Sequence, residues 1–351
     1  MKKLLICFML IAITLLSFAK TLEDTEVIFQ EGMIYEEDSE VPFTGEVIYK
    51  FNEDSLVDAL YSMDSGMKFL SGQVYKREKY QRGVLDGKSE LYYPGGRLKE
   101  VVTFRNGERE GTTYVYNPDG TSLTISYLNN EEVGRRVLRD AANNILGKLS
   151  FEDNILNGDS TFYYIGGQIK EEATFKDGLI EGINTAYYID GNIAGIVSYK
   201  KGVLSGEAVF YHENGSVKST TNYIEGLIEG EVFFYYANGE VSEKSYFKKG
   251  LIEGELVTYY DNGSKSSEAI FKNGLQDGIA KTYYPNGNIS EEVTFSQGNI
   301  HGTAYIYFES GKVKGKIPFS EGVQDGEAVY YDERGKIIEK IIFKNGVEIN
   351  K

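Results

Sequence analysis

The sequence predicts an all-β protein: an elongated single-layer array of antiparallel β-hairpins, twisted and curved into an open sheet. Three observations predict it. Glycine is abundant, 40 of 351 residues, while proline is scarce at 5; without a Gly-X-Y period this is not collagen, and it reads as many tight turns. Aromatic residues make up 13% of the chain, with 28 Tyr and 19 Phe, which favours strands and excludes disorder. One spacing dominates: a glycine followed by a β-forming run recurs every 24 residues over most of the chain, and such a period marks a repeat architecture rather than two or three ordinary domains.

The first element is a leader. Met1-Lys2-Lys3 precedes an apolar run from Leu4 to Leu16 and then Ser17-Phe18-Ala19. Residues 1–19 therefore read as a signal peptide, too short for a comfortable membrane span, and the chain is expected to be exported, whether to the periplasm, the cell surface or the medium. Cys7, the only cysteine, lies inside the leader, so the exported chain holds no disulfide. One Cys and two His cannot build a His/Cys metal cluster; no metal and no cofactor is expected. The formal net charge is −16, or −18 once Lys2 and Lys3 are lost. That charge is repelled by nucleic acid and by anionic lipid, so neither is expected as a partner.

Residues 20–44 form an N-terminal segment that is expected to cap the array. Residues 45–346 hold twelve repeats. Their first glycine stands at 45, 87, 111, 134, 158, 182, 206, 230, 254, 278, 302 and 326. The long first interval contains an insertion, 52–71, in which Leu56, Leu60 and Tyr61 allow a short helix. A second glycine follows, as at Gly215 and Gly239, and a third, as at Gly226 and Gly250; asparagine replaces them at 130, 143 and 154. Asparagine is the substitution a positive φ selects. Asn214-Gly215, Asn238-Gly239, Asn262-Gly263 and Asn286-Gly287 are read as two-residue type I′ hairpin turns. Before each turn comes a run such as 231–236. After it comes alternation, in which Ile289, Val293 and Phe295 are expected on one face. At about 4.8 Å per strand, 24 strands span on the order of 115 Å. Residues 347–351 are a short tail, and Glu339, Lys340 and Lys344 are placed to protect the last edge.

The Tyr-Tyr-x-Asn-Gly turn, the Phe-x-x-Gly and the closing Leu-Ile-Glu-Gly of 230–254 resemble the MORN repeat variant, as found in YwqK-like bacterial antitoxin proteins. The resemblance covers roughly 45–346. It implies an extended β-hairpin scaffold.

Columns of like residues locate candidate sites. An aromatic recurs three residues before each third glycine, from Tyr80 to Phe343, and is read as an inner ladder. A tyrosine recurs at the end of ten of the twelve first strands, including Tyr187, Tyr211, Tyr235, Tyr259, Tyr283 and Tyr307. A second tyrosine follows it at 93, 164, 188, 236, 260 and 284. Adjacent strand residues point to opposite faces, so one column is expected on an accessible surface. The first column is the candidate partner-binding strip, because tyrosine gives large contact area and a polar tip at modest entropy cost. His212 and His301 stand where column residues do and read as repeat variants. The acidic column, Asp86, Glu110, Glu181, Glu229, Glu253, Asp277 and Asp325, reads as turn chemistry rather than a calcium site. Ser245-Tyr-Phe-Lys248 fits Ser-x-x-Lys without the companion motifs of a β-lactamase, and no Walker, dinucleotide or HExxH motif occurs. The expectation is a non-enzymatic exported scaffold that binds a protein or cell-surface component, with adhesion or host interaction as a specific form. Two alternatives stand beside it: an antitoxin-like protein masking a toxin, and a carbohydrate-binding surface. Segment 120–147, which loses the usual tyrosines in Arg135-Arg136-Val-Leu-Arg139-Asp140, is the expected weak point.

Overall fold

The computed structural model describes residues 20–51 and 70–349. The leader and nearly all of the insertion, with its proposed helix, lie outside the described residues. The chain divides into two compact units, Met1–Leu149 and Ser150–Lys351. The division falls just past the tyrosine-poor segment. Among the described residues the only helical turn is the short 3-10 segment Asp24–Glu26.

In the first unit, strand Lys20–Glu23 lies parallel to Gly45–Lys50, the first strand of the first repeat, with Leu22 opposite Val47. A small hairpin, Val27–Gln30 with Met33–Glu36, adjoins it. Leu22, Ile34, Phe43, Val47 and Tyr80 are all buried in one cluster. The segment before the repeats thus covers the otherwise free edge of the first repeat with backbone hydrogen bonds and an apolar plug. Lys20 pairs with Glu36 and Lys50 with Glu23 at its rim. The repeat hairpins follow, each second strand pairing with the next first strand. In the tyrosine-poor repeat, Arg136 takes an interior position and is held by two hydrogen bonds of 2.9 Å to Glu132. A bidentate pair satisfies the guanidinium where other repeats place a small or apolar residue.

The second unit repeats one hairpin in chain order. In 230–253, Gly230–Tyr235 pairs with Val241–Lys248, so that Val232 faces Ser245 and Phe233 faces Lys244. Val241–Lys248 then pairs with the next first strand, Glu243 opposite Thr258 and Lys244 opposite Val257. One face carries the core. Its most buried positions are small or compact: Val232 is 3% exposed, Ser245 1%, and Ala208, Ala269, Ala304 and Ala328 are buried too. Half-buried aromatics close over them. Phe295, Phe319, Phe343, Ile306 and Tyr330 pack against Val293, Ala304, Ile317 and Ala328. The aromatic ladder is therefore the lid of the core, and small residues are its floor. The burial of Ser245 also places the Ser-x-x-Lys serine inside that floor.

Two sequence expectations are corrected by the turns. The Asn-Gly turns are not type I′. Tyr236 N–H donates to the Glu240 carbonyl at 2.8 Å and Gly239 N–H to the Tyr236 carbonyl at 2.9 Å. Gly239 has φ 92, whereas Asn238 is not among the positive-φ residues. This is the three-residue hairpin loop, a turn followed by one left-handed residue. Asn238 Oδ1 accepts the Glu240 N–H at 3.0 Å, which explains the asparagine without a positive φ. The type I′ geometry sits instead at the third glycine: Lys249 and Gly250 have φ 50 and 77, and Asn273 and Gly274 have 50 and 81. The longer loop also shifts the register by one residue, between Thr282 and Tyr283 for example. Ile289 consequently lies opposite Tyr283, on the face away from Val293 and Phe295, not with them.

Candidate binding face

By strand alternation, the first tyrosine column lies on the face opposite the core. Tyr187, Tyr211, Tyr235, Tyr259, Tyr283 and Tyr307 are all half-buried and form one column in the second unit. Successive members sit two strands apart, roughly 10 Å. The structure thus brings them together as a strip, not as a pocket. Neighbouring side chains hold the rings. Phe233 stacks on Tyr235 with centroids 6.2 Å apart, and Tyr305 on Tyr307 at 6.4 Å. Lysines lie over rings of this face: Lys244 over Phe233, Lys265 over Tyr283, and Lys316 over Tyr305 and Tyr331.

The hydroxyls divide the column. Tyr187 donates to Glu172 and Tyr283 to Glu268, each at 2.7 Å. The hydrogen bond to Glu172, with burial, raises the Tyr187 pKa. Burial, followed by Glu268, raises that of Tyr283. Glu268 also takes the ammonium of Lys265 at 2.6 Å and lies 3.7 Å from that of Lys281. The Lys265 bond first, then that of Tyr283, holds its carboxyl below the usual carboxylate value. The hydroxyls of Tyr211, Tyr235, Tyr259 and Tyr307 make no hydrogen bond among the described residues.

The second tyrosine column has a different role, which sequence reasoning missed. Its hydroxyls donate to the carbonyl of the first-column tyrosine one repeat ahead: Tyr164 to Tyr187, Tyr188 to Tyr211, Tyr236 to Tyr259, Tyr260 to Tyr283 and Tyr284 to Tyr307, at 2.6–2.8 Å. In the first unit Tyr93 reaches Tyr116 in the same way. His212 replaces one tyrosine and keeps the bond, its Nε2 lying 2.9 Å from the Tyr235 carbonyl. That exchange of Tyr for a residue with a polar tip at the same reach was the available signal.

Two further columns tie repeat to repeat. Asn214, Asn238 and Asn286 donate from Nδ2 to carbonyls of the following loop, at Ala237, Asp261 and Glu309. The acidic column accepts backbone N–H groups from the next type I′ turn: Glu181 from Lys201, Glu229 from Lys249 and Glu253 from Asn273, at 2.6–2.8 Å. Those carboxylates are committed to structure.

The MORN repeat variant family matches eight segments: 85–106, 156–177, 204–225, 228–249, 252–273, 276–297, 300–321 and 324–345. Together they cover just over half of the chain. The chain belongs to the MORN repeat variant family. Each MORN match runs from the end of one type I′ turn into the next, so it contains one complete hairpin, while its second-column tyrosine and turn asparagine bond into the following one, as Tyr236 does to Tyr259 and Asn238 to Asp261. Comparison with curated proteins gives no match. Among solved structures, similarity is found to a porin-like protein from Bacteroides uniformis, at 11% identity over 74% of this chain and 84% of that one, with a TM-score of 0.15. BamB from Moraxella catarrhalis is 9% identical over 82% of this chain and 98% of its own, at a TM-score of 0.16. The Photorhabdus luminescens Tc holotoxin pore is 12% identical over 89% of this chain and 21% of its own, at 0.15. At such scores none superimposes as a whole on this MORN chain, and none bears on what it binds.

Proposed function

We propose that this MORN chain is an exported, non-enzymatic scaffold that binds a protein or cell-surface component across its first tyrosine column. One observation carries the reading: of two adjacent tyrosine columns, one spends its hydroxyls on neighbouring carbonyls, while the other leaves those of Tyr211, Tyr235, Tyr259 and Tyr307 unbonded on the face away from the core. Tyrosines placed so offer apolar area and an unspent donor at a regular spacing, a surface suited to an extended partner. Adhesion or host interaction is the specific form this takes.

The test is a pull-down with the purified chain 20–351 against the triple substitution Tyr211→Ser, Tyr235→Ser, Tyr259→Ser. The wild-type chain should retain a partner that the variant loses, while circular dichroism and the melting profile stay close. Loss of folding in the variant would mean the column is core; equal capture by both would remove the strip from the interface. A single toxic partner would instead favour the antitoxin-like reading. Binding on a glycan array would favour the carbohydrate one.

A further inference from the structure

Two repeats of the second unit close the tyrosine face with the same pair of residues. Lys244 reaches Glu231 at 2.9 Å, and Lys340 reaches Glu327 at 2.8 Å. In each case the glutamate directly follows the first glycine, and the lysine stands on the second strand of the same hairpin. The lysine stem starts from an apolar row: Lys244 lies opposite Phe233 and Val257, and Lys340 opposite Val329. A lysine can cover such a row with its methylenes and keep its ammonium at the rim.

The repeat 206–229 keeps the glutamate and lacks the lysine. Glu207 follows Gly206, and Thr220 stands where the other two repeats have Lys244 and Lys340. Thr220 still lies in the apolar row, opposite Val209 on one side and Phe233 on the other. Its side chain is too short to reach across to Glu207, which is exposed and has no ion pair among the described residues. A cavity of about 410 Å³ lies in the space that a lysine would fill, lined by Glu207, Val209, Thr220, Asn222, Glu231 and Phe233, among others. Glu231 is already spent on Lys244, so Glu207 is the carboxylate left for a ligand. Two residues beyond Val209 and Phe233 on the same strands stand Tyr211 and Tyr235, so the cavity interrupts the tyrosine strip between two of its members.

We infer that this cavity receives a lysine side chain of a partner protein in place of the missing internal one, a step that rests on the reading of this face as the one a partner covers. The stem lies along Val209, Thr220 and Phe233. The ammonium pairs with Glu207, and Asn222, opposite Glu207 in the register, offers an amide oxygen as a second acceptor. The chain's formal net charge of −16 draws in a basic segment and repels an acidic one.

The experiment titrates the isotope-labelled chain 20–351 with the blocked peptide acetyl-Gly-Lys-Gly-amide and follows backbone amide shifts by NMR. Saturable shifts are expected at Glu207, Thr220, Asn222 and Phe233. Norleucine in place of the peptide lysine keeps the stem without its charge and should bind about threefold more weakly, the size of one partly exposed ion pair. Alanine, which removes the stem as well, should leave no shift at these amides. Thr220→Lys fills the cavity from within, at a position that Lys244 and Lys340 show to accept lysine, and should abolish the shifts while circular dichroism stays unchanged. Glu207→Gln keeps the shape of the cavity and should weaken the lysine peptide to the level of the norleucine one. No shift at millimolar peptide, shifts over the acidic surface that spare these four amides, or equal binding of the lysine and norleucine peptides each overturns the inference. So does a folded Thr220→Lys chain that still takes the peptide here. The titration reads the cavity and the tyrosine substitutions read the strip. A captured partner that the tyrosine variant loses and Thr220→Lys keeps would leave the binding face standing and remove the inserted lysine from it.

Discussion

Phe308 shows what a single hydroxyl does in this molecule. It occupies the second tyrosine column but has no donor for the Tyr331 carbonyl, whereas Tyr284, one repeat before, reaches Tyr307 at 2.8 Å. Phe308→Tyr should therefore stabilise the chain by about 0.5–1.5 kcal/mol, and Tyr260→Phe should destabilise it by a similar amount. Urea denaturation of the two variants checks both signs. Glu268 gives a prediction in pH. Its folded pKa is depressed by Lys265 and Tyr283, so its stabilising contribution is present above the unfolded value, near 4.5, and is lost as pH falls through the folded one. The sign is the usual one for a paired carboxylate. Glu268→Gln should lower the melting temperature at pH 7 and have progressively less effect below about pH 4. An effect that grows on acidification would contradict the ion-pair account.

At the scale of the hairpin, the two turns of each repeat obey different rules. The loop at the second glycine needs one left-handed residue; the turn at the third needs two. Gly274 has φ 81, and a Cβ there would sit 3.3 Å from Leu251 Cδ2. Gly274→Ala should cost about 1–2 kcal/mol from the left-handed backbone alone. Lys249, at φ 50, carries a side chain poorly suited to that region, so Lys249→Asn should stabilise by about 0.5–1 kcal/mol, measured by thermal unfolding. Much of this level was legible in the sequence. The 24-residue period, the strands and the backbone role of glycine followed from spacing and from Asn-for-Gly exchange. Turn type did not, because Asn-Gly serves as well in a three-residue loop where Asn caps the next N–H through its side chain. The face of Ile289 was lost with it, since the longer loop brings a register shift. The candidate site was half legible: spacing gave two tyrosine columns, but which hydroxyls are spent depends on a carbonyl 23 residues away, and composition carries no trace of that.

At the scale of the whole molecule, each repeat contacts its neighbours through fixed offsets, so stability should be close to a sum of repeat and junction terms. Removing one full period, 230–253, joins Glu229 to Gly254 and places Tyr259 where Tyr235 had been, with its carbonyl one repeat ahead of His212. The shortened chain should fold, with unfolding free energy and denaturant slope reduced by about one repeat's share. Removing half a period should abolish cooperative unfolding by the same measurement.

The hydroxyl-to-carbonyl ladder has a consequence for how such a chain changes over generations. Its staples act as a gauge with a single permitted step. A copying slip that adds or drops a whole repeat passes the gauge at every junction and leaves a protein that is merely longer or shorter. A slip of any other length breaks a staple, a turn and a face together. Length is therefore the property this molecule can vary most cheaply, and with it the number of tyrosines offered in a row.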